Sequence, residues 1–359
     1  MALATSRLRQ LLQRKAKPSL SADATNEVDP AVEIPSERPE AGRRDLSYLS
    51  RDGLRLHVAA YGDAISPWLP VVCIPGLSRS VRDFHDLAIH LSTHRHRPRR
   101  VFAFDLRGRG GSEWDADVAN YSPLVEMQDV LDGMTALGIG RAIVVGTSRG
   151  GIIAMLIAVA QPSALAGVVL NDIGPAIEPR GLARIKTYIG RTPAPDDWDD
   201  AVRILRRLHG GQFTALSDDD WLAFARMTWR NDEDGLPVGD YDPALAKTFD
   251  GVEFDRPMPS LWKEFAALGA FPLLAIHGEN SDLLSAETVA RMEKEHPRFD
   301  QISVAGEGHA PLLIRNPILQ RISAFVIGVE GQGPPVDAVI PRALPTFDLD
   351  APPKAGEPA

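Results

Sequence analysis

The sequence predicts a chain of the α/β fold class, with a mostly parallel, twisted sheet, helices on both faces and an inserted helical lid. Short apolar runs that suit buried strands alternate with longer segments of helical periodicity, which is the pattern of a parallel sheet covered on both faces. The connection from Leu170 to Pro272 spans about 100 residues and carries several amphipathic helical patterns, so it is too long for an ordinary loop.

The predicted strands begin with a hairpin. Arg51-Asp52-Gly53 is a turn signal between Asp45–Leu49 and Leu54–Ala60, and it predicts antiparallel edge strands. The buried-strand runs that follow are Val71–Ile74, Arg100–Phe104, Ala142–Val145, Gly167–Leu170, Pro272–Ile276 and Gln301–Val304. The main helical patterns outside the long connection are Ser122–Leu137, Gly150–Gln161, Ala286–Glu295 and Pro317–Val326.

Composition divides the chain into four regions. We expect a disordered N-terminal tail (1–43), a core built from 44–172 and 272–330, a helical lid (173–271) and a proline-rich C-terminal tail (331–359). In the lid, Ser217 and Asp218 look like caps that open a helix. Residues 1–22 contain basic side chains and no acid, so they resemble an organellar transit peptide in composition; the alternative is a basic tail with no targeting role.

Charge and cysteine content exclude several classes of protein. A net charge of −9 does not indicate a nucleic-acid binder, which would normally carry a basic face. Cys73 is the only cysteine, so an intrachain disulfide and a cysteine-rich metal site are both excluded. No apolar run approaches the roughly 20 residues of a membrane span, so we expect no stable membrane insertion and a cytoplasmic protein.

The strongest motif is Gly146-Thr147-Ser148-Arg149-Gly150-Gly151, which lies between a predicted buried strand and a predicted helix. A strand, a sharp turn and a helix are the context of a nucleophile elbow, in which glycines flank the serine because larger side chains would collide. The elbow would hold Ser148 at a helix N-terminus, where exposed backbone N–H groups favour negative charge. We therefore predict Ser148 as a nucleophile.

A serine hydroxyl needs a base and a group that orients the base. His309, in Gly306-Glu307-Gly308-His309-Ala310-Pro311, follows the last strand run at the edge of the sheet that carries Ser148. Two carboxylates could complete the set. Asp282 lies beyond the preceding strand and is the predicted third member, while Asp172, directly after Asn171, is the rival.

Acyl transfer also needs donors for the developing oxyanion. The backbone N–H of Arg149 follows the nucleophile, and the N–H of Leu77 lies in the turn Pro75-Gly76-Leu77-Ser78 after a strand. We predict these two amides as the oxyanion hole. The Arg149 side chain is costly to bury alone, so we expect it to pair with Asp172; the alternative is that it faces the pocket and selects anionic substrates.

These motifs together resemble the α/β-hydrolase superfamily over residues 44–330. Asp105-Leu106-Arg107-Gly108-Arg109-Gly110-Gly111-Ser112 matches as well, and we interpret it as a turn whose arginines form salt bridges. The chain is similar to bacterial esterases, lactonases and C–C hydrolases that include enol-lactone hydrolases. It departs from the family in having Pro75-Gly76 where His-Gly is usual, and in placing Asp282 four residues after Gly278 instead of three.

The resemblance implies the α/β-hydrolase fold and a serine hydrolase that cleaves a small carboxylic ester or lactone through an acyl-enzyme. The alternative is a C–C bond hydrolase or a lyase on the same fold, because fold alone does not decide function. The expected mechanism uses no cofactor and no metal. The sequence does not indicate an oligomeric state. Aromatic and methionine side chains of the lid form the pocket wall or pack the lid on the core: Trp221, Phe224, Met227, Trp229 and Trp262.

Overall fold

The computed structural model describes residues 42–253 and 258–331. Eight strands form one sheet, in the spatial order β1-β2-β4-β3-β5-β6-β9-β10. The first three in this order pair antiparallel and all the others pair parallel. These strands are β1 Arg44–Leu49, β2 Arg55–Tyr61, β3 Val71–Ile74, β4 Val101–Phe104, β5 Ala142–Thr147, β6 Leu165–Asn171, β9 Leu273–Gly278 and β10 Phe299–Val304. The predicted fold class and the predicted antiparallel hairpin are confirmed.

Nine α-helices connect and cover the strands of the described residues. They are α1 His85–Ser92, α2 Pro123–Ala136, α3 Arg149–Ala160, α4 Pro179–Tyr188, α5 Trp198–His209, α6 Asp218–Thr228, α7 Trp262–Ala267, α8 Ala286–Glu295 and α9 Asn316–Gly331. Short 3₁₀ turns join some of them, at Val81–Phe84, Val118–Asn120, Pro162–Ala164, Pro243–Phe249 and Leu268–Ala270.

The central strands are buried along their whole length. Every residue of β3, β4, β5 and β6 is buried, as expected for parallel strands with helices on both faces. Alternate residues of one strand pack into opposite layers: Val144 of β5 belongs to the cluster that includes α3, and Val145 belongs to the cluster that includes α9. This two-sided core holds the carboxyl ends of the parallel strands at one edge, where ligands bind in open α/β sheets.

The inserted segment, residues 173–271, connects β6 to β9. Its described part holds α4 to α7, and the predicted N-cap of α6 is present as Ser217 in a capping box with Asp220. The sequence shows no strand pattern there, but a two-residue hairpin forms between β7 Arg230–Asn231 and β8 Pro237–Val238. The strand prediction missed it because two residues are too few to show an alternating pattern.

The predicted tails lie almost entirely outside the described residues. Of the N-terminal tail only Gly42 and Arg43 are described, and of the C-terminal tail only Gly331, which ends α9. The basic stretch 1–22, with its two alternative interpretations, lies outside them as well. Across residues 42–253 and 258–331, none of the helices has the length and apolar character that a membrane crossing requires.

Candidate active site

Ser148 lies in a sharp turn between β5 and α3, with φ of 50° and ψ of −112°. Such a positive φ is strained for a residue with a side chain and is held only by its surroundings. A Cβ on Gly146 would lie 2.5 Å from the Gly150 carbonyl carbon, and one on Gly150 would lie 2.0 Å from the Ile74 carbonyl oxygen. The Ser148 N–H donates to the Asn171 carbonyl at 3.0 Å, which ties the turn to β6. The sequence context therefore produces the predicted elbow.

Ser148, His309 and Asp172 form a continuous hydrogen-bonded chain. His309 Nε2 lies 2.8 Å from Ser148 Oγ, and His309 Nδ1 lies 2.8 Å from Asp172 Oδ2. The Asp172 side chain is fully buried and that of His309 is 7% exposed. A hydroxyl, an imidazole and a buried carboxylate in this order can deprotonate the hydroxyl and stabilise the imidazolium that results.

Asp172 reaches His309 because of the sheet order. It directly follows β6, which lies between the strand that carries Ser148 and the strand β9. Its own N–H donates to the Ile276 carbonyl, and its φ is 54°. Its carboxylate accepts hydrogen bonds from Gly278 N–H at 2.7 Å and from Ser281 Oγ at 2.6 Å. These donors orient the carboxylate toward the imidazole.

The prediction that Asp282 contacts the histidine is wrong. The Asp282 carboxylate forms a two-point ion pair with Arg184 of the inserted segment, with Nε at 2.6 Å and the second guanidinium nitrogen at 3.0 Å. Burial raises the pKa of Asp282, but hydrogen bonds from Arg184 and Gln212 outweigh this and hold the pKa below its usual value. The loop after Gly278 reaches this hydrogen-bonded chain through Ser281, which donates to Asp172. This loop has one residue more than the family pattern between Gly278 and Asp282. The Asp282 carboxylate pairs with Arg184, and the carboxylate at His309 is Asp172.

Leu77 and Ser148 line the same cavity, and Arg149 is the first residue of α3. The carbonyl of Leu77 accepts a 2.7 Å hydrogen bond from Arg109 Nε, which fixes the peptide plane of the turn. Within the described residues, the Leu77 N–H has no hydrogen-bond acceptor. Of the two residues whose amides the sequence suggested as oxyanion donors, Leu77 thus lies at the cavity that Ser148 lines, and Arg149 directly follows Ser148.

A buried carboxylate connects these two backbone positions. Glu126 of α2 is fully buried; its Oε2 accepts from Arg149 Nε at 2.7 Å, and its Oε1 lies 2.8 Å from Arg109. Burial raises the pKa of Glu126, but the charges of Arg149 and Arg109 outweigh it and keep the pKa below its usual value. The Arg149 side chain also donates to the Tyr121 carbonyl at 2.7 Å.

This network corrects a second prediction. Arg149 does pair with a carboxylate, but the partner is Glu126 and not Asp172, whose oxygens are occupied by His309, Gly278 and Ser281. Arg149 is also not among the cavity-lining residues of the described chain, contrary to the alternative that it faces the pocket. Glu126 was missed because its helix position resembles any polar residue on a helix surface.

The loop after β4 supports the same edge of the sheet. Arg107 is buried and pairs with Asp129 and Asp52, and its pKa lies above the usual value: burial lowers it, but these carboxylates outweigh the effect. Asp105 accepts hydrogen bonds from Val81 N–H, Gly111 N–H and the ring of His57. The prediction that the arginines of this loop form salt bridges is confirmed.

A cavity of about 270 Å³ is lined by Ser148 and His309. The inserted segment contributes much of its wall. Of the side chains that the sequence pointed to, Phe224, Met227 and Trp229 line this cavity. Trp221 instead packs on Phe224 with ring centroids 6.1 Å apart. In the described part of the chain, no three histidine, cysteine, aspartate or glutamate side chains are grouped so that they could hold a metal ion.

The comparisons with known proteins all find hydrolases. Residues 71–317 match the model of a family described as "Alpha/beta hydrolase family". A 3-hydroxybutyrate-oligomer hydrolase of Cupriavidus necator is 32% identical over 273 residues, which are 72% of this chain and 89% of that protein. A 2-(acetamidomethylene)succinate hydrolase of Mesorhizobium japonicum is 24% identical and covers 65% of this chain and 79% of its own length. The crystal structure of an alpha/beta hydrolase from Novosphingobium aromaticivorans superposes with a TM-score of 0.73 and 36% identity, covering 80% of this chain and 99% of that one.

Proposed function

This chain belongs to the alpha/beta hydrolase family and is a hydrolase, and from that premise we propose that it cleaves a small carboxylic ester or lactone through a covalent acyl-enzyme on Ser148. The observation that carries the proposal is the chain of two 2.8 Å contacts from Ser148 Oγ through the His309 ring to Asp172. A hydroxyl with a base at hydrogen-bond distance, and a base with its own orienting carboxylate, is the arrangement of an activated serine nucleophile.

In the proposed mechanism, Ser148 Oγ attacks the ester carbonyl while His309 Nε2 takes the hydroxyl proton. Asp172 holds the Nδ1–H of His309 and stabilises the imidazolium. The backbone N–H groups of Leu77 and Arg149 donate to the oxyanion of the tetrahedral intermediate. His309 then protonates the leaving alcohol, and the same residue activates a water molecule that releases the acid from Ser148.

The size and lining of the cavity support a small substrate. Its volume of about 270 Å³ is just below the usual range of ligand pockets, roughly 300 to 1,000 Å³. The wall combines apolar side chains such as Ile185, Leu205 and Met227 with polar side chains. The similarity to a 3-hydroxybutyrate-oligomer hydrolase also supports a short-chain ester as the substrate class.

The alternative reaction is that of a C–C bond hydrolase or a lyase on the same fold. This chain is similar to a protein named as a hydrolase of 2-(acetamidomethylene)succinate, so a relative acts on a substrate that is not named as an ester or a lactone. A simple ester separates the alternatives, because only an ester hydrolase of the proposed type transfers the acyl group to Ser148 and then releases it.

The test combines labelling with turnover. A fluorophosphonate probe should label the wild-type protein and not Ser148→Ala, and p-nitrophenyl esters of graded chain length should be hydrolysed by the wild type only. Removing the nucleophile of such a triad typically costs about 10⁶-fold in kcat. The matched control is Ser163→Ala, which changes an exposed serine outside the cavity and should keep both labelling and turnover. Labelling or ester turnover that survives in Ser148→Ala would remove the nucleophile assignment.

A further inference from the structure

His209 is a buried polar residue of the active-site cavity that the proposed mechanism does not use. It is the last residue of α5, in the inserted segment, and only 7% of its surface is exposed. It lines the same cavity as Ser148 and His309. Its Nδ1 atom is buried, and within the described residues it has no hydrogen-bond partner. A buried polar atom left without a partner is costly, so such atoms in native proteins call for an explanation.

The surroundings of His209 are aromatic. Its ring packs against Tyr188, Phe213 and Phe224, with ring centroids 5.4 Å, 6.2 Å and 5.6 Å away. Burial, and then the positive charges of Arg184 and Arg79 nearby, lower the pKa of His209 to about 3. The imidazole is therefore neutral at neutral pH, and it offers one N–H donor and one nitrogen acceptor.

Three other polar side chains of the cavity already have hydrogen-bond partners. Thr228 Oγ1 accepts from Arg79 at 2.6 Å, Tyr241 Oη accepts from the Gly190 N–H at 3.0 Å, and Thr192 Oγ1 donates to the Tyr188 carbonyl at 3.0 Å. A second buried cavity-lining atom without a described partner is Asn171 Oδ1, but Asn171 adjoins Asp172 in the chain. Its amide nitrogen donates to Thr147 Oγ1 and to the Pro311 carbonyl. We therefore assign Asn171 to holding the residues around Ser148 and Asp172 in place.

The charge of Arg79 is also occupied. Its guanidinium makes a two-point ion pair with Asp83, with nitrogen–oxygen distances of 2.6 Å and 2.9 Å. The cavity therefore offers a neutral imidazole beside an arginine whose charge is already paired with Asp83, and this arrangement does not favour a carboxylate on the substrate. A hydroxyl suits it better, because a hydroxyl both donates and accepts and so can satisfy either tautomer of His209.

We propose that His209 is a specificity-determining residue that hydrogen-bonds a hydroxyl group on the substrate, so that the enzyme prefers hydroxyacyl esters to plain alkyl esters of the same length. This inference rests on the proposed function, since it assigns the substrate class of the same site. The contact adds a polar recognition point from the inserted segment to the cavity wall.

The experiment compares two esters that differ by one hydroxyl, p-nitrophenyl butyrate and p-nitrophenyl 3-hydroxybutyrate. We expect the wild type to favour the hydroxylated ester in kcat/KM by roughly three- to tenfold, the value of one hydrogen bond. His209→Phe keeps an aromatic ring and removes both nitrogens, so the ratio should fall to about one. His209→Gln and His209→Asn return an amide that donates and accepts, and one of them should restore part of the preference.

Phe213→Leu is the matched control. It disturbs the ring packing around His209 without removing a polar group, so it should retain the wild-type ratio. A wild-type ratio of one, or a ratio that His209→Phe leaves unchanged, would overturn the proposal. Failure of the proposed function gives a different result, because neither ester would then be turned over, or turnover would persist in Ser148→Ala. Fluorophosphonate labelling of His209→Phe is the check that this variant retains a folded active site.

Discussion

Glu126 Oε2 accepts a 2.7 Å hydrogen bond from Arg149 Nε, and the carboxylate that makes it is fully buried. The other oxygen of the same carboxylate lies 2.8 Å from Arg109, and Arg109 in turn holds the Leu77 carbonyl. One negative charge thus connects Arg149, the residue that follows Ser148, with the loop that carries Leu77. The two proposed oxyanion donors are the backbone amides of the residues at the two ends of this connection.

Replacing Glu126 by Gln should weaken both folding and turnover. The buried guanidinium of Arg109 and the partly buried one of Arg149 would lose their shared counter-charge. Breaking a buried ion pair costs about 3–5 kcal/mol. The Leu77 turn would be held less firmly, so kcat should fall by about 10- to 100-fold, short of the roughly 10²–10³ for deletion of a whole donor. Thermal melting and the separate measurement of kcat and KM check this. Glu113→Gln, an exposed partner of Arg55, is the control and should change neither.

Asp172→Asn should nearly silence the enzyme, whereas Asp282→Asn should retain most turnover. The first change keeps the shape but removes the charge that faces His309 Nδ1, and such a change in a serine triad costs around 10⁴ in kcat. The second change removes the counter-charge of Arg184 in a partly exposed pair, which is typically worth about 1 kcal/mol or less. Steady-state rates of the two folded variants test this prediction. A more severe loss for Asp282→Asn would show that Asp282, and not Asp172, is the carboxylate that supports His309.

Gly150→Ala should abolish the active conformation of the elbow. The added Cβ would lie 2.0 Å from the Ile74 carbonyl oxygen, a backbone atom that cannot move without shifting β3. We expect a loss of several kcal/mol in unfolding free energy, within the range of severe overpacking. Gly140→Ala is the matched control, since a Cβ there meets nothing within 4 Å. Urea denaturation of both variants measures the difference, and equal stabilities would show that the elbow tolerates a side chain at this position.

His57 should make the fold more stable at mildly acidic than at alkaline pH. Burial lowers its pKa, but the hydrogen bonds and charges of Asp105 and Asp45 outweigh this and raise the pKa above the usual 6.5. A raised pKa in the folded state means that the stabilisation is complete below pH 6.5 and is lost as the pH rises through the folded-state pKa. The melting temperature of His57→Gln should therefore fall furthest below that of the wild type at pH 6, and the gap should narrow by about 2–4 °C at pH 9.

The control for this titration is His96→Gln, which changes an exposed histidine and should follow the wild-type curve at every pH. A gap between wild type and His57→Gln that stays constant from pH 6 to pH 9 would show that the protonation of His57 does not contribute to stability.

The sequence by itself determined the features that depend on neighbouring residues. The strands from Val71–Ile74 onward, the helix capped by Ser217 and the elbow around Ser148 are local patterns of hydrophobicity, capping and glycine placement. Because parallel strands present their carboxyl ends at one edge, the same patterns also placed His309 and both candidate aspartates near Ser148.

Only the tertiary structure decided between those candidates. Asp172 and Asp282 both follow strands at the same edge, and the choice depends on which carboxylate meets the donors of Gly278 and Ser281 and which meets Arg184. Glu126 and His209 likewise show no distinguishing signal along the chain. Their roles arise from contacts with residues far away in sequence, and such contacts depend on side-chain direction and packing, which local periodicity does not encode.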